Sequence, residues 1–416
     1  MVLSKARRGY LFFFWPLNVS FMEAGKVPRK WWIFITIYLG SLAATLNQFK
    51  VPPLMAVLMQ ALHLDVKVAG WLMSGFALAG FFLALPAGIF LRPYQLKSAG
   101  IAGLGALTAG ALLGALAPGA TLMLVGRVCE GMGLLTMGIV APSLINAWFP
   151  PDERGLPMGI WATWVPAGSV LMLNLANPLY SLGDWRAVWW FGFIMALIAF
   201  LVFILIIELP DEFKENKTGS KQAIDWSEII TTWRSRDIWL LAFMFATFNF
   251  TIVAYNSWAP TYLKQTFALT PARAAFYTSL VHVGVIPANI VAGWLVNYLK
   301  SSRRVYIGGF IVYALAWITA FNLKPLTIIP FMLALGLVAG FIPTATFAAA
   351  PVAIGRQGRL PLANAAIMWG QNLGVLLGPV SLGQLLAAGI GWPAGSFLLV
   401  PVALLGLITG LLTRIK

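Results

Sequence analysis

The sequence has one cysteine, Cys129, and two histidines, so it offers neither an internal disulfide nor a cysteine-histidine metal cluster. Charge is scarce. Asp, Glu, Lys and Arg make up 10% of the 416 residues, where a soluble domain carries about 25%. Acid is scarcer still, 13 Asp and Glu against 28 Lys and Arg, for a net charge of +15. There is no Walker A run for nucleotide phosphates, no nucleophile elbow and no metal-spaced group of acids. No stretch interleaves bases with aromatics as a nucleic-acid surface does. These absences exclude a soluble enzyme, a disulfide scaffold, an ATP-driven pump and a nucleic-acid binder, and no cofactor is expected. What is abundant is apolar: 60% of residues, with a mean hydropathy of +0.84. The solvent of this chain is the lipid bilayer.

A spanning helix needs about 20 mostly apolar residues. Such stretches fall at 31–59, 68–91, 98–117, 121–148, 157–179, 187–209, 238–263, 272–298, 305–323, 326–354, 361–388 and 393–414. They lack the period-two alternation of a β-barrel, and backbone groups in lipid must bond internally, so the fold predicted is all-α with twelve transmembrane helices. An N-terminal segment (1–30), a six-helix bundle (31–209), a polar central loop (210–237) and a second six-helix bundle (238–416) follow. Within the loop, 224–233 has the pattern of a short helix lying on the membrane, or of a plain tether.

With twelve spans both termini share one side. That side holds 21 of the 28 bases, the opposite loops hold five, and Lys50 and Arg127 lie inside spans. The positive-inside rule then puts both termini and the central loop in the cytoplasm, in a multi-pass protein of the cell membrane. Residues 5–21 have the outline of a short signal core but lack a small-residue cleavage site, and translation is expected to start at Met22.

The halves repeat. Gly88 and Gly293, Gly131 and Gly336, Trp164 and Trp369, and Arg154 and Arg359 are all 205 residues apart, in matching helix positions. A duplicated six-helix unit of this kind is a transporter architecture, with the substrate site between the halves near the bilayer midplane.

From residue 31 onward the chain resembles the major facilitator superfamily of secondary transporters. The family's loop between spans 2 and 3, G-x-x-x-D-R-x-G-R-R, is matched by GIFLRPYQLK (88–97): Gly88 and the basic Lys97 are kept, while Arg92 replaces the acid. In the family that acid latches one conformation, so this copy departs from the pattern. The second copy keeps Gly293 and places Lys300, Arg303 and Arg304 nearby, with Asn297 at the acidic position. RVCEGMG (127–133) resembles the family's R-x-x-Q-G-x-G of span 4, with Glu130 for the amide. WFPPDERG (148–155), which includes Arg154, resembles the loop that follows in the cyanate-porter, nitrate/nitrite-porter and anion:cation-symporter branches. The G-x-x-x-G-P of drug antiporters is missing from span 5 and stands instead at 374–379 in span 11. The resemblance implies a major facilitator fold with two pseudo-symmetric halves, alternating access, and Gly88, Arg92, Lys97, Arg154, Gly293, Arg303 and Arg304 as loop residues that govern conformation.

Intramembrane charge costs about 2.5–3.5 kcal/mol per Lys or Arg at a helix centre on insertion scales. Lys50 lies past the middle of span 1, three residues after Asn47 and just before Pro52 and Pro53. It either attracts a carboxylate or snorkels to the headgroups. Arg127 suits bidentate oxyanion binding, or an i,i+3 pair with Glu130, and the two readings coexist if a proton on Glu130 frees the arginine. Glu130 and His282 are the candidates for proton coupling; a hydrogen-bonded packing role is the alternative for each. Trp161 and Trp164, read as well inside span 5, are candidates for a cavity wall, with Trp369 as the mate of Trp164. Tyr255, 205 residues after Lys50, and the amides Asn256, Gln371 and Asn372 complete the candidate substrate residues, although such amides also hold helices together.

The function predicted is secondary transport of a small, carboxylate-like anion, coupled to a proton or another ion, by a monomer. An exporter of amphipathic compounds on the same fold and a non-transporting sensor are the alternatives.

Overall fold

The computed structural model describes residues 28–90, 95–150, 153, 157, 160–210, 226–354 and 360–415. The expected start at Met22 and the loop residues Arg92 and Arg154 lie outside them. The first span is α1 (Arg29–Phe49), a 3₁₀ turn (Pro52–Leu54) and α2 (Met55–Ala61). Then come α3 (Val66–Ala69) with α4 (Trp71–Phe90), α5 (Leu96–Ala115) and α6 (Ala120–Trp148). α7 (Trp164–Ile206) has 43 residues, about 65 Å of helix and roughly twice a bilayer core. It reverses at Gly183 and Asp184, whose backbone is non-helical, and so makes two crossings.

A short helix, α8 (Trp226–Arg234), leads into the second half. This comprises α9 (Arg236–Phe267), α10 (Pro271–Leu299), α11 (Ser302–Thr319), α12 (Ile328–Ala339) running into α13 (Phe341–Ile354), α14 (Leu360–Ala387) and α15 (Ala394–Leu412). Among the described residues, ten helical stretches are long and apolar enough to cross a membrane. With α7 counted twice and α11 added, the spans number twelve.

Two departures from the sequence reading matter. The first span is broken at 50–54 instead of continuous, because Pro52 and Pro53 have no N–H to give the carbonyls of Gln48 and Phe49. The fifth span is interrupted by a turn at 162–163: residues 157, 160 and 161 are helical and the long helix runs on from Trp164, so Trp161 and Trp164 flank that turn.

The duplication is visible in the packing. A Cβ on Gly131 would run into the carbonyl oxygen of Phe76, and one on Gly336 into that of Val281. Phe76 and Val281 are again 205 residues apart, so the same backbone contact is built twice. Between the halves, Ser74 Oγ donates to Val375 O at 3.4 Å and Asn174 Nδ2 to Ser279 Oγ at 3.2 Å. Phe81 packs on Trp369 with ring centres 5.4 Å apart. On the face that bears the termini, Arg29 pairs with Glu208 and Lys30 with Glu153, closing the first half on itself. In the second half, the Arg414 N–H donates to Asp237 at 3.0 Å.

Candidate functional site

The break in the first span creates the site. Pro52 leaves the Gln48 carbonyl without its helical donor, and Arg127 of α6 supplies one from Nη2 at 3.2 Å. Its Nη1 donates to Asn47 O at 2.7 Å, and its Nε to Leu72 O of α4 at 2.7 Å. The same Nη1 donates to Glu130 Oε2, and the guanidinium lies 4.5 Å over the ring of Phe76. One arginine thus ties together α1, α4 and α6.

Lys50 completes the group. Its Nζ donates to Glu130 Oε1 at 2.5 Å and to Asn47 Oδ1 at 2.8 Å, and lies 4.5 Å over the ring of Trp189. Asn47 Nδ2 donates in turn to Gly192 O in the second arm of α7, at 3.1 Å. The side chains of Lys50, Arg127 and Glu130 are fully buried. Lys50 therefore does not snorkel: its ammonium turns inward to an acid 80 residues away in sequence. Each oxygen of Glu130 accepts from a different cation, so one carboxylate bridges two bases. With all three ionised the net charge is +1, held where burial makes every change of charge expensive.

On its other side the break meets the second half. Phe49 packs edge-on against the ring of His282 in α10, with centres 5.0 Å apart. Asn256 Nδ2 of α9 lies 3.4 Å from His282 Nε2, and the Asn256 Oδ1 is buried without a hydrogen-bond partner. Asn47, Phe49 and Lys50 thus put one segment in touch with both the charged group and the other half.

The remaining candidates are more scattered. Trp161 stacks on Trp164 at 5.7 Å and donates from Nε1 to Ser41 Oγ at 3.0 Å, against α1. Trp369 packs among Phe81, Trp239 and Phe243. Asn372 is buried and donates to Met368 O of its own helix at 2.8 Å, while Gln371 is half-buried. Tyr255 does not face Lys50: it is buried against Trp317, Phe321 and Phe331 of its own half, with its hydroxyl 3.8 Å from Met332 Sδ.

Among the loop residues, Gly88 and Lys97 are half-buried and Arg304 is exposed. Arg303 donates to Leu411 O at 2.7 Å, and Gly293 has open space where a Cβ would stand. Asn47 as the hub of the charged group and Trp189 as its apolar face were the parts hardest to see. Asn47 was marked by its i,i+3 spacing to Lys50, whereas Trp189 carried no sequence signal.

Twelve spans in two halves that repeat the same close contact, with buried charge beside the break in the first span, define an alternating-access membrane transporter. The sequence profile described as Major Facilitator Superfamily matches residues 37–302. The chain belongs to that superfamily. It is 27% identical over 344 residues to the 3-(3-hydroxy-phenyl)propionate transporter of Escherichia coli, covering 80% of this chain and 81% of that one. It is 23% identical over 259 residues to human sialin, covering 57% of this chain and 51% of sialin, so it spans about half the length of that relative. In three dimensions it resembles a bacterial homologue of the human lysosomal transporter Spinster, with a TM-score of 0.70 at 16% identity over 93% of this chain and 96% of that one.

Proposed function

We propose that the protein carries a small organic anion of the carboxylate class across the cell membrane, coupled to a proton. The observation that carries this reading is the bridging of Lys50 and Arg127 by Glu130 in full burial. A proton on Glu130 leaves two buried cations without their counter-ion, a state that needs an anion in its place. An anion that pairs with Lys50 or Arg127 in turn displaces the carboxylate, which is then best neutralised by a proton. Each ligand therefore promotes binding of the other, which is the linkage a symporter requires.

Asn47 positions the lysine. Asn256, whose buried amide oxygen has no hydrogen-bond partner, and His282 beside it are candidates for polar contacts with the cargo, and His282 is a second candidate for the proton. Trp161, Trp164, Trp369, Gln371 and Asn372 are the candidates to line a path nearer the face that bears the termini. The excess of bases on that face supports reading it as the cytoplasmic one. The named cargo of one relative, 3-(3-hydroxy-phenyl)propionate, is an aromatic carboxylate and suits this charge balance. An exporter of amphipathic cations would need a free acid, and both oxygens of Glu130 are taken.

The test is uptake by proteoliposomes. With an inside-alkaline pH gradient, aromatic and sugar carboxylates should accumulate, and the Lys50→Ala, Arg127→Ala double variant should lose accumulation. Full transport by that double variant rules the reading out.

A second experiment probes the break. Replacing Pro52 and Pro53 by alanine restores the N–H that Gln48 lacks, so α1 should run on and displace Arg127 Nη2. We expect transport to fall about tenfold or more through misplacement of the charged group, without loss of thermal stability. Unchanged uptake would mean that the break does not set the geometry.

A further inference from the structure

Away from the charged group, the far turn of α7 carries a cleft of about 510 Å³, bounded by Leu179 and Leu182 on one arm and by Arg186, Trp190 and Ile194 on the other. The arms, 164–182 and 185–206, are each about 30 Å long, so the turn lies at the headgroup level of a bilayer whose hydrocarbon core is about 30 Å thick. From Arg186 to Ile194 the cleft runs about 12 Å toward the membrane centre. Its walls there are apolar and open to lipid, with Leu182 81% and Ile194 48% exposed.

The mouth is charged. Arg186 lies 4.3 Å over the ring of Trp185 and donates from Nη2 to Ala117 O at 3.1 Å. Its Nη1 is 3.6 Å from Asp184 Oδ2, beyond hydrogen-bond length, so donors remain for an anion. Asp184 Oδ1 accepts the Arg186 backbone N–H at 2.6 Å, and Oδ2 has only its long ion pair with Arg186, which leaves it able to accept a hydrogen bond from a second cation. Asp184 stands at φ 62°, ψ −174°, a backbone conformation suited to glycine, yet this chain places a carboxylate there.

We propose that this cleft binds a phospholipid, and that its preferred occupant is phosphatidylethanolamine. The phosphate would meet the Arg186 fork, the primary ammonium would meet Asp184 Oδ2, and an acyl chain would lie along Leu182, Trp190 and Ile194. Phosphatidylcholine presents a quaternary ammonium with no proton to donate. Phosphatidylglycerol supplies the phosphate but leaves Asp184 with only its Arg186 contacts. The order of affinity is therefore ethanolamine, then glycerol, then choline.

The experiment uses the delipidated full-length protein, with native mass spectrometry counting lipid adducts and thermal unfolding reading stabilisation. Lipids with identical acyl chains and the three headgroups are added in turn, and inorganic phosphate serves as the water-soluble anion. The unaltered protein should retain phosphatidylethanolamine at least severalfold better than phosphatidylcholine, and phosphate should leave the midpoint unmoved. Asp184→Asn keeps the Oδ1 acceptor and should bring phosphatidylethanolamine down to the choline level while sparing phosphatidylglycerol. Arg186→Ala should lose both phosphate-led adducts about tenfold, and Arg186→Lys should recover part of them. Equal retention of ethanolamine and choline lipids by the unaltered protein overturns the proposal. So does wild-type retention by both Asp184→Asn and Arg186→Ala, or a full thermal shift from phosphate alone. None of these readouts involves transport, so the outcome is independent of the cargo assigned above.

Discussion

Glu130→Gln should lower the unfolding temperature more than any other single substitution in the charged group, and an added anionic cargo should restore much of the loss. The substitution is almost isosteric, so packing is kept, while the charge goes and one of the two acceptors that Lys50 and Arg127 use becomes a donor. What remains is Lys50 and Arg127 beside one another, both fully buried. Breaking a buried pair by removing one partner costs about 3–5 kcal/mol, because the other charge stays desolvated and unmatched. Lys50→Met in the same chain removes the second cation and should recover most of the loss, since Arg127 keeps its bonds to Asn47, Gln48 and Leu72.

The double-mutant cycle should therefore show coupling of about 1–3 kcal/mol between positions 50 and 130. A carboxylate that occupies the vacated place should stabilise Glu130→Gln by about 2.7 kcal/mol at a hundred times its dissociation constant. The unaltered protein should respond less, because there the ligand must first displace Glu130. Thermal unfolding in detergent with and without cargo reads both effects. If Glu130→Gln melts with the unaltered protein, the three side chains are not energetically coupled, and the symport linkage built on them fails.

Much of this site could be seen in the sequence, but in separate parts. Hydropathy located the spans, and two prolines after Lys50 marked a weak point in the first of them. The i,i+3 spacing of Arg127 and Glu130 announced one half of the charged group, because neighbours on a helix are fixed by its geometry. The other half, Lys50 on Glu130, joins residues 80 apart, and no local rule reports which helix faces which. Hydropathy ran through the turn at 162–163 in the fifth span, because a two-residue interruption flanked by tryptophans leaves the apolar average unchanged. Trp161 and Trp164 pack against the apolar core of the first half, and the Trp161 ring nitrogen finds Ser41.

The repeat was informative in a different way. It placed Tyr255 opposite Lys50 and Met332 opposite Arg127, and the structure does bring that pair together, with the Tyr255 hydroxyl 3.8 Å from the Met332 sulfur. The geometry was copied and the charge was not. Leu335 stands where Glu130 does, so the second half contains a neutral version of the same three-residue corner. On the proposed reading, the electrostatic response to proton and anion would arise in the first half.

That symmetry yields the second large effect. Gly131→Ala and Gly336→Ala should each cost most of the folded yield and reduce transport at least tenfold, to a similar degree. At Gly131 the added methyl would overlap the Phe76 carbonyl, and at Gly336 that of Val281. Backbone cannot swing aside as a side chain can, so α6 must part from α4, or α12 from α10, along the whole contact. Overpacking of this kind typically costs about 1–3 kcal/mol and more where main chain is displaced. In membranes, where small residues let helices approach closely, little else compensates for the lost contact.

The matched control is Gly293→Ala. Gly293 is shared with the family's loop motif, but a Cβ there meets nothing within 4 Å, so folded yield and melting should be unchanged. Fluorescence-detected gel filtration of the three variants, followed by uptake on the folded fraction, separates the cases. If Gly131→Ala is disabled while Gly336→Ala is tolerated, the two halves do not bear equivalent loads. The rocking would then depend on close packing in the charged half alone.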